Sequence, residues 1–162
     1  MKKLTLIRHA KSSWTHNLED HKRPLKKRGI KDANLISNCL RPKFLQPDFV
    51  FSSDAERAKQ TAQIFVKNLE IDSAIFQLKN ELYDFSGYQL INVIKSCDNS
   101  ISNLLLFGHN HAITAFVNTY GSKNIDNVPT CGLVSIDFNI DKWDDLKQGT
   151  TIKTLFPRDL KY

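Results

Sequence analysis

Two apolar runs in the sequence lead directly into residues that are suited to phosphate chemistry. Residues 4–7 (LTLI) are followed at once by Arg8 and His9, and residues 103–107 (NLLLF) are followed within two positions by His109. An arginine guanidinium binds a tetrahedral oxyanion through two parallel hydrogen bonds. A neutral imidazole beside such an anion can attack phosphorus, and a second imidazole can donate a hydrogen bond to its oxygens. These residue types favour phosphoryl transfer if the fold brings them together.

Apolar segments with β-branched or aromatic residues alternate along the chain with segments of helical period. This alternation predicts an α/β fold: a three-layer sandwich with helices on both faces of a mostly parallel central sheet of about six strands. Pro24 suits the first turn of a helix and is expected to open the first one. We expect strands near 3–8, 48–52, 74–78, 103–108, 133–139 and 151–156, and helices near 25–40, 54–69, 87–97 and 110–121.

The carboxyl ends of the predicted strands are the expected position of a site, because ligands of open parallel sheets bind there. The first strand ends at Arg8 and His9, the second enters a helix that carries Arg57, and the fourth ends at His109. We therefore expect these four side chains at one sheet edge, as a phosphate site that acts through a phosphohistidine. No metal is needed, and His109 and His111 would face apart on a helix.

Length and composition predict a single domain over residues 1–162, since 162 residues with 41% apolar content can form one sizeable core. The amino-terminal apolar run is too short for a signal peptide or a membrane span, so a cytoplasmic location is expected. The three cysteines, Cys39, Cys97 and Cys131, are widely spaced and include no C-x-x-C pair. We expect them to be buried thiols.

The formal net charge of +6 suits an acidic partner, such as nucleic acid, a membrane surface or a phosphorylated substrate. The densest basic cluster spans Lys22 to Lys31, and its helical spacing favours a solvated helix face over a specific contact. The aromatic residues fall inside predicted core elements and form no stripe with the basic ones, which argues against nucleic acid. We expect neither a nucleic-acid nor a membrane partner.

Five short segments over roughly residues 3–121 carry a family signature: LIRHAKSSW, DHKRPLKKRG, SSDAERAKQTA, NELYDFSG and LLLFGHN. In this order they resemble the histidine phosphatase superfamily, which has the phosphoglycerate mutase-like fold, and within it the small SixA-type group of phosphohistidine phosphatases. One departure is Ala10, which stands where the R-H-G motif of the family has its glycine. The backbone at this position must therefore tolerate a Cβ atom.

The resemblance implies a role for each of the four clustered residues. His9 would be the nucleophile that accepts the phosphoryl group. Arg8, Arg57 and His109 would form the phosphate pocket around it. No cofactor is implied.

Two carboxylates are candidates for a general acid. Glu81 occupies the place where many relatives carry this acid, and Asp84 is the alternative. A carboxylic acid protonates a departing alkoxide only if burial or neighbouring charge keeps it protonated near neutral pH. Between Glu81 and His109 there is room for one helix and little more, so we expect an open, shallow pocket without a lid.

Three further residues have both a substrate-binding and a structural interpretation. Ser12 follows the nucleophile closely and can either donate to phosphate oxygens or cap a turn. Arg23 and Arg28 lie in a family segment, RPLKKRG, and are candidates for contact with the substrate. Arg28 can instead pair with a carboxylate near its helix.

Three residues near the expected site are assigned no chemical role. Trp14 is a large side chain, and core packing is expected for it. His16 and His21 lie in a predicted loop, where we expect surface histidines without a function.

An open pocket suits a phosphorylated side chain that projects from a folded protein, and phosphohistidine has a good leaving group when its ring is protonated. The leading hypothesis is therefore a metal-independent phosphatase that acts on phosphohistidine of a protein, such as a phosphorelay protein. Two alternatives remain open. One is a phosphomonoesterase of the same superfamily that acts on a small phosphorylated metabolite, and the other is a non-catalytic phosphate-binding module.

Overall fold

The computed structural model of the chain describes residues 1–15 and 17–160, and all of the predicted strands and helices are present in that part. None of its helices is both long and apolar enough to cross a membrane. A short fifth helix, α5, was not predicted. The strands are β1 (Lys2–Arg8), β2 (Phe49–Ser52), β3 (Phe76–Leu78), β4 (Asn103–Gly108), β5 (Leu133–Phe138) and β6 (Thr150–Leu155). The helices are α1 (Lys27–Leu40), α2 (Glu56–Asn68), α3 (Tyr88–Lys95), α4 (Ala112–Tyr120) and α5 (Pro157–Leu160).

The six strands form one mixed sheet in the order β3-β2-β4-β1-β5-β6. The first four strands in this order are parallel, and β5 and β6 are antiparallel to their neighbours. The mostly parallel sheet is therefore confirmed. In the register of β1 and β4, Arg8 lies opposite Gly108, so both strands end at the same level of the sheet.

The sheet is covered on both faces, which confirms the three-layer sandwich. Leu4 and Leu6 of β1 belong to a buried cluster that includes side chains of α3 and α4. Ile7 belongs to a second cluster that includes side chains of α1 and α2. Because successive strand residues point to opposite faces, a run that is apolar throughout is what a doubly covered strand requires.

The segment between β1 and α1 folds back on itself, and this corrects the expected start of the first helix. Pro24 and the next residue are extended: Ser13 N–H donates to the Pro24 carbonyl at 2.8 Å, and Leu25 forms a β-bridge with Ser12. The helix begins only at Lys27. Proline suits an extended segment as well as a helix start, because its φ angle is compatible with both.

The cysteine and charge expectations are correct in part. Cys97 and Cys131 are buried, whereas Cys39 is exposed on α1. The lysines of the basic cluster are exposed, as expected for a solvated helix face. Arg23 is the exception, because only 6% of its surface is accessible. This arginine turns inward from a segment that otherwise faces solvent.

Gly29 in α1 packs against the backbone of Lys11, in the segment after β1. Its substitution tests this contact. A Cβ atom built at Gly29 would lie 2.1 Å from the carbonyl oxygen of Lys11. Glycine to alanine in a helix normally stabilises a protein by roughly 0.5–1 kcal/mol. Here we expect Gly29→Ala to lower the free energy of unfolding by about 1–3 kcal/mol, measured by urea denaturation.

Lys31→Ala, at an exposed position of the same helix, is the matched control and should change stability by less than about 0.5 kcal/mol. An increase in stability for Gly29→Ala would show that the backbone at Lys11 moves away freely. In that case the close packing described above would not constrain the segment after β1.

Candidate active site

The ends of three strands bring the two predicted histidines together. His9 N–H, just after β1, donates to the carbonyl of Gly108 at the end of β4 at 3.0 Å. Ser53 N–H, just after β2, donates to the Phe107 carbonyl at 3.0 Å. The rings of His9 and His109 lie with their centroids 5.2 Å apart. The sheet edge therefore places both imidazoles side by side.

The His9 ring is held in the tautomer that leaves one nitrogen free to react. Its Nδ1 donates to the carbonyl oxygen of Ala10 at 2.7 Å, so the lone pair lies on Nε2. Nε2 accepts a hydrogen bond from Nε–H of Arg57 at 3.4 Å, which a phosphoryl oxygen would replace. Burial of the ring, together with repulsion from Arg57 and Arg8, lowers its pKa to about 3. A neutral imidazole with a free Nε2 is the form that attacks phosphorus.

The backbone around His9 is fixed from two other elements. Ala10 N–H donates to the hydroxyl of Thr61 in α2 at 3.0 Å. The N–H of Cys131 lies 3.0 Å from the Arg8 carbonyl and 3.1 Å from that of His9. Cys131 adopts a φ of 60°, which is uncommon for a residue with a side chain. Ala10, which stands where the family motif has glycine, is fully buried. The packing around it therefore accommodates the additional Cβ atom.

His109 and Arg8 each present a buried nitrogen to this region. The His109 Nε2 lies 2.8 Å from the Ser53 hydroxyl, which itself accepts a hydrogen bond from Ala55 N–H. The Ser53 hydroxyl thus holds the His109 ring through Nε2 and leaves Nδ1 without a partner in the described part of the chain. Burial, with repulsion from the neighbouring cations, lowers the pKa of His109 to about 2. Among the described residues, His109 Nδ1 and Arg8 Nε have no hydrogen-bond partner, and both are buried.

One carboxylate, Asp20, organises the outer side of the site. Arg57 donates from Nη1 to the Asp20 carbonyl at 2.7 Å and from Nη2 to Oδ2 at 2.9 Å. Arg23 donates to Oδ1 from Nε and Nη2, at 3.1 and 3.0 Å, and the Tyr83 hydroxyl donates to Oδ2 at 2.6 Å. Partial burial alone would raise the pKa of Asp20, but the hydrogen bonds from Tyr83, Arg57 and Arg23 outweigh it and hold the pKa well below its usual range.

The remaining predicted substrate contacts are divided between two places. Ser12 lies beside the site, where its hydroxyl accepts a 2.6 Å hydrogen bond from Arg23 Nη1. Arg28 is exposed on α1 and lines a different pocket with Lys11, Thr130 and Arg158. The structure therefore joins Ser12 and Arg23 to the group around His9 and leaves Arg28 outside it.

The two candidate acids have different surroundings. Glu81 is exposed on a 3-10 turn after β3. Asp84 caps α3: its Oδ2 accepts hydrogen bonds from the N–H groups of Gly87, Gln89 and Leu90 at 3.0–3.1 Å. A carboxylate with this many backbone donors is occupied as a helix cap. Neither carboxylate belongs to the network around Asp20.

Several residues of the site were missed in the sequence. His21 was expected to have no role, yet its Nε2 lies 2.8 Å from Asp54 Oδ1 and its ring packs against Tyr83. His16 lies outside the described residues. Trp14 was wrongly expected in the core: it is 77% exposed and stacks on the Arg23 guanidinium at 3.4 Å.

The sequence contains one signal for the hydrogen bonds around Asp20. In the segment DHKR, Asp20 and Arg23 are three residues apart. This spacing becomes informative only when the segment forms a helical turn, as residues 20–22 do. Among the described residues, no group of three or more histidine, cysteine, aspartate or glutamate side chains is placed to hold a metal. The assembled groups suit a tetrahedral oxyanion with a neutral imidazole against it.

Comparison with known proteins identifies the family of the chain. Residues 4–85, about half of the chain, match the profile of the histidine phosphatase superfamily (branch 1), and the chain belongs to that superfamily. An uncharacterized protein of Mycobacterium tuberculosis is 33% identical over 109 residues, which are 67% of this chain and 66% of that relative. An uncharacterized chloroplastic protein of Arabidopsis thaliana is 27% identical over 157 residues, with 89% and 70% covered. The chain thus spans about two thirds of the length of the mycobacterial relative.

Solved structures share the fold at lower sequence identity. The structure of a SixA protein from Agrobacterium tumefaciens matches with a TM-score of 0.80 and 24% identity, over 95% of this chain and 97% of that one. A protein histidine phosphatase SixA complexed with tungstate matches with a TM-score of 0.83 and 20% identity, over 98% and 99%. The chain therefore has the fold of the SixA proteins.

The protonation states of His9 and His109 can be measured directly. Because burial places both pKa values far below the 6.5 of an ordinary histidine, we expect both rings to stay neutral from pH 8 down to about pH 5. The measurement is an NMR titration of the ring carbon and nitrogen shifts, assigned with His9→Gln and His109→Gln variants. His9 should show the Nδ1–H tautomer throughout.

The same titration of urea-unfolded protein is the control, and there both rings should titrate near 6.5. Since the unfolded chain then binds protons that the folded chain does not, the free energy of unfolding should fall as the pH drops below 6.5. A His9 shift change centred between pH 6 and 7 in the folded protein would contradict the neutral nucleophile.

Proposed function

We propose that this protein is a metal-independent phosphatase that transfers the phosphoryl group of protein phosphohistidine to His9 and then to water. The observation that carries the proposal is the unprotonated His9 Nε2, which accepts a hydrogen bond from Arg57 Nε, together with the buried, unpaired nitrogens of Arg8 and His109. A site that only binds phosphate has no use for an unprotonated nucleophile. This favours catalysis over the non-catalytic binding module.

In the first step, Arg8, Arg57 and His109 bind the phosphoryl oxygens and His9 attacks. A bond forms between His9 Nε2 and phosphorus as the bond to the leaving nitrogen breaks, and the electron pair of that bond stays with the leaving ring. The Nδ1–H of His9 remains on the Ala10 carbonyl at 2.7 Å and stabilises the charge that develops on the ring. Hydrogen bonds from these three donors would stabilise the transition state.

In the second step, water hydrolyses phospho-His9. The water oxygen bonds to phosphorus, and the electron pair of the broken phosphorus–nitrogen bond returns to Nε2. One water proton is released to solvent as the phosphate product ionises, and the other stays on phosphate. His9 is thereby restored to its neutral, reactive form.

The surroundings of the two candidate acids favour a leaving group that needs no proton from the enzyme. An alkoxide needs a proton as it departs. Asp84 is occupied as a helix cap, and Glu81 is exposed. A phosphohistidine whose ring is already protonated leaves as neutral imidazole without any acid, so the site favours this substrate over serine or threonine esters.

A protein substrate is supported by the rim of the site. Trp14, which stacks on Arg23, is 77% exposed, and Phe85, which contacts the His109 ring at 5.2 Å, is 46% exposed. Exposed aromatic side chains around a polar pocket mark a surface for a macromolecular partner. The solved SixA described as a protein histidine phosphatase with tungstate, an oxyanion, has the same fold and supports the same assignment.

Turnover of two substrates tests the proposal. In the presence of EDTA, we expect wild-type protein to hydrolyse a phosphohistidine-bearing phosphotransfer protein with a kcat/KM at least about tenfold above that for para-nitrophenyl phosphate. His9→Ala should lose about 10³-fold or more on both substrates, because it removes the nucleophile. His111→Ala, at an exposed histidine two positions from His109, is the control and should retain activity.

Full activity of His9→Ala would refute the covalent scheme. Activity on the ester alone would instead indicate the small-molecule phosphomonoesterase. Loss of activity with EDTA that added metal restores would refute metal independence.

The aromatic rim gives a separate prediction for the protein substrate. We expect Trp14→Ala to lower kcat/KM for the phosphoprotein about fivefold more than for para-nitrophenyl phosphate, because the small ester does not reach the rim. Leu45→Ala removes another exposed apolar side chain, near the start of β2 and so at the opposite sheet edge, and should not change this ratio. Equal losses on both substrates for Trp14→Ala would mean that the tryptophan acts only by supporting Arg23.

A further inference from the structure

We propose that Asp20 determines specificity by accepting a hydrogen bond from the protonated ring of a bound phosphohistidine, so that the site selects substrates whose leaving group arrives as a cation. This inference rests on the proposed function and adds a substrate-contacting residue to it. Asp20 is not one of the residues that attack or bind the phosphoryl group in the scheme above.

The position of Asp20 follows from the way Arg57 spans the site. Arg57 directs its Nε to His9 Nε2 and its two terminal nitrogens to Asp20. His9 is buried, whereas the Asp20 side chain is 43% exposed. A phosphoryl group on Arg57 Nε therefore has the nucleophile on its buried side and Asp20 toward solvent. An in-line leaving group departs away from buried His9 and toward solvent, the side on which Asp20 is exposed.

The Asp20 carboxylate can exchange one of its hydrogen bonds for one from the substrate. Each carboxylate oxygen has two acceptor sites, about four in all. Arg23, Arg57 and Tyr83 fill all four: two nitrogens of Arg23 donate to Oδ1, and Arg57 and Tyr83 donate to Oδ2. A ring N–H of the substrate would take the place of the Tyr83 hydroxyl, the one uncharged donor, because the Asp20 side chain is 43% exposed.

The charges of the site also favour a cationic leaving group when Asp20 is ionised. Arg8, Arg23 and Arg57 with the Asp20 carboxylate give the site two positive charges, which match the two negative charges of a phosphoryl dianion. Removal of the Asp20 charge would leave an excess positive charge beside the substrate ring, and like charges repel. The hydrogen bonds from Tyr83, Arg57 and Arg23 lower the pKa of Asp20 and so favour its ionised form.

The protonation of the substrate ring decides whether its phosphorus–nitrogen bond can break without an acid. With the second ring nitrogen protonated, the electron pair of the broken bond moves into the ring and neutral imidazole departs, so no proton is transferred. A carboxylate next to the ring stabilises the cation and raises the pKa of the bound ring. Asp20 would thereby keep the reactive form populated to a higher pH.

The titratable and charged groups around Asp20 come from every neighbouring element. They include the His21–Asp54 pair, which lies on the same rim and contacts Tyr83. The others are Arg23 before α1, Arg57 of α2, Tyr83 after β3, His109 after β4, and Arg8 and His9 at the end of β1.

The test is the pH dependence of a single turnover with enzyme in saturating excess, which reports the bound substrate and excludes the later hydrolysis of phospho-His9. For wild type on the phosphohistidine protein, the rate should fall on the alkaline side as the bound ring loses its proton. For Asp20→Asn, we expect this alkaline limb to move about one pH unit lower, which is about a tenfold lower rate at the alkaline end. The release of para-nitrophenol from para-nitrophenyl phosphate, which has no titrating ring, should show no such shift.

Two variants control for indirect effects. Asp54→Asn removes another carboxylate charge from the same rim and should leave the limb in place. Asp20→Glu retains the charge and should restore the limb toward its wild-type position if Asp20→Asn disturbs folding.

The remaining outcomes separate this inference from the proposed function. If Asp20→Asn lowers the rate on both substrates equally and does not move the limb, Asp20 only positions Arg57 and the inference is wrong, whereas the phosphohistidine phosphatase stands. If Asp54→Asn shifts the alkaline fall in rate equally, the cause is the overall negative charge of the rim and not a contact with Asp20. That result would also overturn the inference. If wild type does not dephosphorylate the phosphohistidine protein at all, the proposed function itself fails.

Discussion

The parallel pairing of β1 with β4 is the constraint on which the rest of the site depends. Its register sets Arg8 opposite Gly108, and the hydrogen bond from His9 N–H to the Gly108 carbonyl continues the pairing one step beyond the strands. A shift of one residue would move every side chain of β1 to the other face of the sheet. Since both faces are buried under helices, the apolar clusters fix the register and, with it, the distance between the two imidazoles.

Burial then sets the chemistry of the two histidines. A solvated imidazole titrates near neutral pH, but here the cost of placing a charge in the interior, next to arginines, keeps His9 and His109 neutral. The hydrogen bond to the Ala10 carbonyl fixes the tautomer of His9, so its lone pair lies on Nε2, whereas His109 is held through Nε2 by Ser53. The two rings therefore lie side by side with different nitrogens engaged.

The parts of the fold that the sequence could predict are those determined by short-range pattern. Apolar runs located the strands, and the rule that sites form at the carboxyl ends of parallel strands brought Arg8, His9, Arg57 and His109 to one edge. The outer side of the site could not be predicted in this way. It depends on the bridge between Ser12 and Leu25, a contact between segments whose composition resembles an ordinary loop followed by a helix start.

That bridge explains why the errors fall in one segment. With Pro24 extended rather than helical, the turn at residues 20–22 lies against α2, where Asp20 meets Arg57, and Arg23 turns inward beneath Trp14. An aromatic residue expected in the core is therefore exposed, and an arginine from a solvated cluster is buried. Neither position follows from the local sequence, because each is set by its partner on another element.

The site consequently has two parts with different physical origins. The inner part, around His9 and His109, is built on strand ends whose backbone hydrogen bonds and packing leave little freedom. The outer part is built from a turn held by side-chain hydrogen bonds to one half-exposed carboxylate. Substitutions in the inner part must preserve the sheet register, whereas those in the outer part must preserve the hydrogen bonds that tie buried Arg23 and Arg57 to Asp20.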